Sequence, residues 1–382
     1  MAARPSEGSQ GTLREVALLF LKLGVVGFGG PAAHIALMHE DVVRRRRWVS
    51  EAEFLDLVGA TNLIPGPNST ELAIHLGYRR AGWPGLVAAG GCFILPAFLA
   101  VLGCAWAYVR YGSLPQVASA LYGAKPAIVA VVAVALWGLG RAALKDGLTL
   151  GLAGAVLVLW LRGAHELALL FGAGIVAMAA RGRTGGLVAL LPLAAPAATA
   201  APTAVPFQLG TLFFTFLKIG SVLFGSGYVL LAFLHADFVV RLGWLSDGQL
   251  LDAVAVGQVT PGPVFTTATF VGYLLGGLPG AAVATAGIFL PAFVFVAATH
   301  PLVPRMRRFK FASGFLDGVN AASWALMAGV SLRLAQASLT DGVTVVLAVG
   351  ALLLLWRRVN SAWVVLGCAA VGVLTRELVT RL

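Results

Sequence analysis

The chain has 382 residues, of which 59% are hydrophobic and only 11% are charged, and its mean hydropathy is +0.89. A soluble globular protein carries about 25% charged residues, so this composition excludes a soluble domain and a disordered chain. Three cysteines are too few for a disulfide scaffold. The formal net charge of +11 would suggest nucleic-acid binding in a soluble protein. In a membrane protein it indicates basic cytoplasmic loops, so we predict an all-α polytopic membrane protein without a nucleic-acid partner.

The first two apolar segments contain helix breakers. No cleavable signal peptide is predicted, because residues 1–12 are polar and Lys22 interrupts the first apolar run. That run leads into the glycine-rich stretch Gly27–Pro31, and the next one contains Asn62 and Pro65–Pro67. Glycine and proline in the middle of a segment interrupt a helix. Both segments are therefore predicted to be broken or re-entrant helices and not complete spans.

Uncharged runs predict the membrane spans that follow. A span needs about 20 apolar residues, and the first half has uncharged runs at 82–109, 126–140, 147–161 and 167–180. The second half has them at 253–304, 318–332, 342–356 and 359–375. Between the halves, the proline- and alanine-rich stretch 184–206 is predicted to be a linker that could itself cross the membrane. No long alternation of period two is present, which favours helices over a β-barrel.

An internal repeat is the strongest organisational signal. Motifs of the first half return in the second half in the same order, with one residue of slippage. The matched pairs are Phe20–Gly24 with Phe216–Gly220, His39–Asp41 with His235–Asp237, Trp48–Ser50 with Trp244–Ser246, Pro65–Pro67 with Pro261–Pro263, Gly77–Tyr78 with Gly272–Tyr273, and Leu95–Phe98 with Leu290–Phe293. We predict two homologous repeats, residues 1–183 and 207–382, joined by the linker 184–206.

The distribution of basic residues predicts that the two repeats have opposite orientations. Suppose that each broken segment returns to its starting side, that four spans follow, and that the linker crosses once. One side then collects 18 arginines and lysines, and the other collects 6. The basic side is expected to be cytoplasmic. This asymmetry requires an inverted repeat, an arrangement typical of secondary transporters.

The two Pro-Gly-Pro motifs indicate a binding site. They interrupt helices at membrane depth, where free backbone groups need a cavity and where the next half-helix directs its positive end at an anion. Polar residues cluster near both motifs: Asn62, Asn68, Ser69 and Thr70 in one copy, and Gln258, Thr260, Thr266 and Thr267 in the other. The alternative is a packing kink, but two copies at matching positions favour a site.

Two lysines lie upstream of glycine-rich stretches. Lys22 precedes Gly27–Pro31, and Lys218 precedes Phe224–Gly227. Glycines let backbone N–H groups face a ligand, although small residues also allow close helix packing. An intramembrane lysine faces a cavity or extends its amine to the membrane surface. The candidate substrate-binding residues are Lys22, Gly29, Gly30, Asn62, Pro65, Gly66, Pro67, Asn68, Lys218, Gly225, Gln258, Thr260, Pro261, Gly262 and Pro263.

Glu71 is the candidate proton-coupling residue. It lies one helical turn beyond Pro67 in an otherwise apolar stretch, and its repeat counterpart is Thr267. A carboxyl at that depth suits proton coupling because its neutral form is the one that burial tolerates. The alternative is a salt bridge to Lys22 or Arg79. His75, one turn further, could share the proton or simply pack.

No motif predicts an enzyme, a cofactor or a metal site. His39–Asp41 and His235–Asp237 lack a closed set of metal ligands, and we expect them to cap the turns that follow. The residues Tyr122–Lys125 and Asp317–Asn320 either line the cavity or cap a span. The chain also lacks a Walker loop, a nucleophile elbow, a zinc-protease helix and a CxxC pair. ATP-driven pumping by this chain alone is therefore not expected.

The motif set resembles the chromate ion transporter family over nearly the whole chain. The residues that carry the resemblance are Gly27–Pro31, Trp48, Glu51–Phe54, Pro65–Asn68, Gly77–Arg79, Leu95–Pro96, Pro261–Pro263 and Phe315–Asn320. Both halves match, as in the long two-domain members. Two departures set the halves apart: Gly225–Gly227 reads Gly-Ser-Gly where Gly29–Pro31 reads Gly-Gly-Pro, and Leu274–Leu275 replaces Arg79–Arg80.

The resemblance implies an inner-membrane carrier that exports chromate, driven by the membrane potential or a proton gradient. Sulfate or another small oxyanion is an alternative substrate, because it shares chromate's charge and shape. A membrane enzyme or a structural subunit without transport is the alternative of another class. The expected partners are the oxyanion and the lipid bilayer, and the sequence permits a homodimer without requiring one.

Overall fold

The computed structural model describes residues 12–28, 30–181, 206–224, 227–300 and 310–381, and it describes side chains there except at 310–312 and 376–381. Every regular element within these ranges is helical, in agreement with the predicted all-α class. Of the predicted linker, only Pro206 belongs to the described residues.

The first repeat begins with short helices and continues with long ones. Its described helices are α1 (Leu13–Val26), α2 (Pro31–Met38), a π-helix (His39–Arg45), α3 (Glu51–Thr61), α4 (Asn68–Tyr111), α5 (Pro115–Ala143), α6 (Gly147–Leu161) and α7 (Glu166–Arg181). The breaks lie at the predicted glycine and proline positions. Pro31 occupies the first turn of α2, where its missing N–H is not needed.

The second repeat follows the same order. Its described helices are α8 (Leu209–Val222), a 3-10 turn (Gly227–Val229), α9 (Leu230–Leu234), a second π-helix (His235–Arg241), α10 (Asp247–Val259), a 3-10 turn (Val264–Thr266), α11 (Thr267–Thr299), α12 (Lys310–Ser338), α13 (Gly342–Trp356) and α14 (Ser361–Arg381). Even the capping boxes recur, Ser50 with Glu53 and Ser246 with Gln249. The order of the helices in the second half therefore matches that in the first, as the paired motifs predict.

Helix α4 consists of two arms that fold back on each other. Its backbone leaves the helical region at Ala81 and Gly82. A Cβ atom on Gly77 would overlap the carbonyl oxygen of Gly85, so the arms before and after the turn are in backbone contact. We call residues 68–80 the short arm of α4 and residues 83–111 its long arm.

Helix α11 folds back in the same way at Gly276 and Gly277. The hydroxyls of Thr269 and Thr285 are hydrogen-bonded at 2.7 Å. In a continuous helix those residues would be about 24 Å apart, so the short arm (267–275) lies against the long arm (278–299).

Helices α1 and α2 also form a hairpin around the first break. Lys22 on α1 binds Asp41 on the π-helix that continues α2, with 3.1 Å between the Nζ and Oδ2 atoms. The second repeat has the matching pair Lys218 and Asp237, whose Nζ and Oδ1 atoms are 2.5 Å apart. Each pair joins the two sides of a hairpin.

The two repeats are interleaved and do not form separate lobes. Helix α4 packs against α11, α5 packs against α13 and α14, and the corresponding α12 packs against α6 and α7. Exchanging the repeats reproduces this set of contacts, so the molecule has an approximate two-fold symmetry. The large aromatic side chains of Phe20, Phe93 and Phe216 are fully buried in the core.

Polar contacts join the repeats across this interface. The Tyr122 hydroxyl donates to Asp341 at 2.6 Å, and Lys145 donates to Asp317 at 2.7 Å. The hydrogen bonds from Tyr122 and from the Thr344 amide lower the pKa of Asp341. The segments 122–125 and 317–320 thus bind the other repeat.

Three helical stretches in the described residues are long and apolar enough to cross a membrane: 68–111, 115–143 and 264–299. Shorter apolar helices cover 147–161, 209–222, 342–356 and 361–375. Large apolar side chains on the outer surface are exposed, among them Trp137, Val346 and Trp363. A surface of this kind is compatible with lipid and not with water, so the protein is a membrane protein.

Candidate functional site at the two helix breaks

The two Pro-Gly-Pro motifs are joined to the opposite repeat by reciprocal backbone hydrogen bonds. The Gly66 amide donates to the Leu223 carbonyl at 2.8 Å, and the Gly262 amide donates to the Gly27 carbonyl at 2.7 Å. Leu223 and Gly27 are repeat counterparts at the ends of α8 and α1. Each proline motif therefore contacts the first break of the other repeat. All four helix breaks meet in one region of the molecule.

These motifs require glycine at their centre. Gly66 has φ +137° and Gly262 has φ +88°, values that L side chains rarely adopt. A Cβ atom on Gly66 would overlap Glu71 Oε1, and one on Gly262 would lie 2.7 Å from the Ala97 Cβ. Ala97 is midway along the long arm of α4, so the breaks lie near the middle of that arm.

A small cavity, with room for about one water molecule, lies between the breaks. Both repeats contribute to its lining, which consists of Pro31, His34, Pro67, Asn68, Ser69, Gly227, Pro263, Val264 and Phe265. Of the candidate residues, Pro67, Asn68 and Pro263 reach this lining. The sequence analysis missed His34, although its position one turn after Pro31 indicated a side chain near the break.

Two half-helices begin at the cavity. The short arm of α4 starts at Asn68, and the turn leading into α11 starts at Val264. The first amides of a helix have no partner within it and carry a partial positive charge. Asn68 also donates through Nδ2 to Asn62 Oδ1 at 2.7 Å, which fixes its side chain. By contrast, the Gly66 and Gly262 amides already donate hydrogen bonds to carbonyls of the opposite repeat.

His34 is hydrogen-bonded on both sides of its ring. Its side chain is buried, with Nδ1 3.2 Å from Ser69 Oγ and Nε2 3.0 Å from the Gly27 carbonyl oxygen. That carbonyl also accepts from the Gly262 amide. A continuous chain of hydrogen bonds thus runs from Ser69 through His34 and Gly27 to the Pro-Gly-Pro motif of the second repeat.

The cavity chemistry is asymmetric despite the symmetric backbone. The counterparts of His34 and Ser69 in the second repeat are Leu230 and Phe265. Gly27, whose missing side chain makes room for the His34 ring, is replaced there by Leu223. The first repeat therefore supplies the imidazole and the hydroxyl, and the second supplies apolar groups.

The two candidate lysines are ion-paired outside the cavity lining. Lys22 is bound to Asp41 and Lys218 to Asp237, and their side chains are 50% and 31% exposed. Asp41 offsets the charge of Lys22, whereas Asp237 faces two basic side chains. Arg241 shares Asp237 with Lys218 at 2.8 Å.

Glu71 lies directly beneath the first Pro-Gly-Pro motif. Its side chain is fully buried, and neither carboxyl oxygen has a hydrogen-bond partner among the described residues. The expected alternative partners bind elsewhere, since Lys22 contacts Asp41 and Arg79 contacts Glu53 at 3.0 Å. The buried carboxyl is therefore left without a basic partner in the described structure.

The other candidate residues occupy several positions. His75 contacts His300 of the second repeat, with 3.0 Å between the two Nδ1 atoms. Gln258 lies beside a second small cavity together with Tyr228, and the Thr260 hydroxyl donates to the Val256 carbonyl at 2.9 Å. Gly30 adopts φ +81° at the start of α2. Pro65 and Pro261 flank the two central glycines, whereas Gly29 and Gly225 lie outside the described residues.

A buried charge pair also lies outside the predicted site. Lys125 Nζ is 3.3 Å from Asp252 Oδ1, and the Tyr108 hydroxyl donates to Asp252 Oδ2 at 3.0 Å. It connects α5, α10 and the long arm of α4. The described residues contain no group of three or more histidine, cysteine, aspartate or glutamate side chains placed to hold a metal ion.

Comparison with known proteins gives one consistent result. The sequence model of the family described as Chromate transporter matches residues 14–179 and again residues 210–373. A chromate transport protein from Cupriavidus metallidurans is 36% identical over 96% of this chain and 94% of its own length. A probable chromate transport protein from Synechococcus elongatus is 33% identical over 91% of this chain and 90% of its own.

A third relative, a chromate transport protein from Pseudomonas aeruginosa, is 33% identical over 92% of this chain and 90% of its own length. No solved structure matches the chain. The likeness therefore rests on sequence, and it covers both repeats.

Proposed function

Because this chain belongs to the chromate transporter family, we propose that it exports chromate across the inner membrane of the cell. Family membership itself supports a chromate transport role and makes the chain a transport protein and not an enzyme. The direction of transport, the driving force and the particular membrane are parts of the proposal.

One observation carries the proposal: both Pro-Gly-Pro breaks and both first breaks meet at a single cavity between the repeats. In secondary transporters, substrate sites occur where discontinuous helices of two repeats meet near the bilayer midplane. The breaks lie against Ala97, midway along the long arm of α4, which is where a midplane site belongs.

We further propose that the repeats are inverted and that α1–α2 and α3 with the short arm of α4 are re-entrant hairpins. The charge asymmetry of 18 against 6 basic residues supports inversion. The approximate two-fold symmetry and the fold-back turns at Gly82 and Gly277 are compatible with it. Alternating access would then be a movement of the two hairpin pairs about the cavity.

The anion is proposed to bind at the starts of the two half-helices. The Asn68 side chain and the first amides of the short arm of α4 would replace part of its water shell. Gln258 and Thr260 would contact the anion at a neighbouring position along the transport path. Gly66 and Gly262 hold the two breaks together. Lys22 and Lys218, which are paired with aspartates outside the cavity lining, contribute a weaker positive potential.

Glu71 is proposed to couple a proton to transport. Its carboxyl is fully buried beneath Gly66, and it has no basic partner among the described residues. Binding and losing a proton there would change the packing of the motif that joins the repeats. Either a proton gradient or the membrane potential could then drive export.

The decisive test is chromate flux in proteoliposomes that contain only this protein. Radiolabelled chromate is loaded, a pH gradient or a potential is imposed, and sulfate is added as a competitor. Flux that follows the pH gradient supports a proton-linked chromate carrier. Flux that follows only the membrane potential identifies the potential as the driving force. Preferential sulfate transport would make sulfate the substrate, and absence of flux from folded protein would contradict the proposal.

A further inference from the structure

The chemistry of the cavity leaves a dianion without a full positive charge. Lys22 and Lys218 are bound to Asp41 and Asp237 outside its lining. Helix N-termini supply only partial charges, each equivalent to about half an elementary charge. Among the described residues that line the cavity, His34 is the one titratable side chain.

The hydrogen bonds of His34 fix where its protons are. A carbonyl oxygen can only accept, so Nε2, which faces the Gly27 carbonyl at 3.0 Å, carries the hydrogen. In the neutral ring Nδ1 is then an acceptor, and the Ser69 hydroxyl at 3.2 Å donates to it. The hydroxyl hydrogen of Ser69 is therefore directed at the ring and away from the cavity.

Protonation of the ring reverses this arrangement. A proton taken from water onto Nδ1 makes that atom a donor to Ser69 Oγ. The Ser69 hydroxyl hydrogen, displaced from the ring, rotates into the cavity and can donate to an oxyanion oxygen. No bond to carbon is made or broken, and release of the anion returns the proton to water.

From this geometry we infer that His34 and Ser69 form a proton-linked oxyanion relay, in which the cavity takes up one proton as it binds a tetrahedral dianion such as chromate. The inference rests on the proposed function, because it assigns a charge to the same site. It differs from the role of Glu71, which is to link a proton to transport and not to binding.

The groups around the His34 ring are compatible with its role in the relay. The titratable groups on the elements around α2 are already engaged or directed elsewhere. Lys22 and Asp41 pair with each other, Glu71 lies beneath Gly66, and Tyr228 contacts Gln258. The remaining ring contact is apolar, since Phe93 meets His34 edge-on at 5.3 Å between centroids.

The test measures protons taken up when an anion binds to the purified full-length protein in weakly buffered detergent solution. Chromate and sulfate are the probes, and sulfate stays a dianion near neutral pH, so uptake with it cannot come from the ligand. The wild type should take up about one proton per anion above the ordinary histidine pKa of about 6.5. Its affinity should rise as the pH falls.

The variant His34→Gln should bind either anion more weakly and lose this uptake together with the pH dependence of affinity. Ser69→Ala keeps the imidazole and should also flatten the pH dependence, which a purely structural role of His34 would not produce. The matched control His165→Gln changes a histidine in the loop before α7 that does not line this cavity, and it should behave as the wild type.

The outcomes separate the two proposals. Binding with wild-type proton uptake in both His34→Gln and Ser69→Ala would overturn the relay and leave chromate transport intact. If His34→Gln does not fold, Ser69→Ala alone decides, since its ring is unchanged. A folded wild type that binds neither chromate nor sulfate would contradict the proposed function, and the relay with it.

Discussion

Gly66 and Gly262 satisfy two requirements at once. Each has a positive φ angle, and each places its amide on a carbonyl of the opposite repeat. An added methyl group would strain the backbone and push against Glu71 in one case and Ala97 in the other. At the scale of single residues, both positions therefore require glycine.

We therefore expect Gly66→Ala and Gly262→Ala to destabilise the protein by about 1–3 kcal/mol each and to abolish most transport. Thermal unfolding in detergent and chromate flux in proteoliposomes measure the two effects. Gly59→Ala is the matched control, because Gly59 lies in α3 with open space where its Cβ would be. Wild-type flux in both test variants would show that the reciprocal bonds are dispensable.

A second residue-scale prediction concerns Glu71. Gln has nearly the same shape as a protonated Glu but cannot release a proton. Glu71→Gln should leave chromate binding close to the wild-type value and make flux independent of an imposed pH gradient. Binding assays together with flux at several pH gradients check this. An unchanged pH dependence of flux would remove the coupling role.

Single residues also show where sequence reasoning reached its limit. The paired motifs led directly to Asn68 and to both Pro-Gly-Pro breaks. They could not lead to His34, because its counterpart Leu230 carries no signal of a shared role. Nor could they show that Lys22 is bound to Asp41, since the partner lies across a hairpin.

At the scale of elements, the ion pair of Lys125 and Asp252 joins three helices of different repeats. Asp252 is almost fully buried, and Lys125 is about one-quarter exposed. Burying two charges costs solvation energy that only their mutual attraction offsets. The pair therefore contributes little net stability while it is intact and becomes costly when one partner is lost.

Removing one partner should expose this cost. Lys125→Met or Asp252→Asn alone should lower the free energy of unfolding by about 3 kcal/mol, with Lys125→Met the more damaging because it leaves a buried carboxylate. The double variant should recover most of the loss, because the amide oxygen introduced at position 252 would still accept from Tyr108. Thermal unfolding of all three variants in detergent decides, and additive losses in the double variant would refute the coupling.

The elements also explain which parts of the fold were predictable. Proline and glycine positions predicted the breaks, because their backbone limits are local. The fold-back turns at Gly82 and Gly277 were not predicted. The uncharged run 82–109 begins at the first turn, and the run 253–304 continues across the second. Only the contacts between the arms reveal that α4 and α11 each consist of two arms.

At the scale of the whole molecule, the proposed inversion of the repeats makes a simple prediction. Arg162 and Arg357 end equivalent helices of the two repeats, and both are exposed. In a protein whose three native cysteines are replaced, Arg162→Cys should react only with a reagent added outside the cell. Arg357→Cys should react only after the membrane is permeabilised.

This labelling experiment contains its own control, because the two sites have the same local structure. Reaction of both cysteines from the same side would show parallel repeats. Reaction of Arg162→Cys from outside the cell and of Arg357→Cys only after permeabilisation would support inverted repeats. The count of basic residues alone cannot establish the orientation of the repeats, because it depends on an assumed number of membrane crossings.

The interleaving of the repeats has a consequence for biosynthesis. Helix α5 packs on α13 and α14, which leave the ribosome last, and Gly66 awaits a carbonyl that is made more than a hundred residues later. The first repeat must therefore remain unfinished in the membrane while translation continues. Cutting the gene between the repeats should give two pieces that are degraded when made singly and survive when made together.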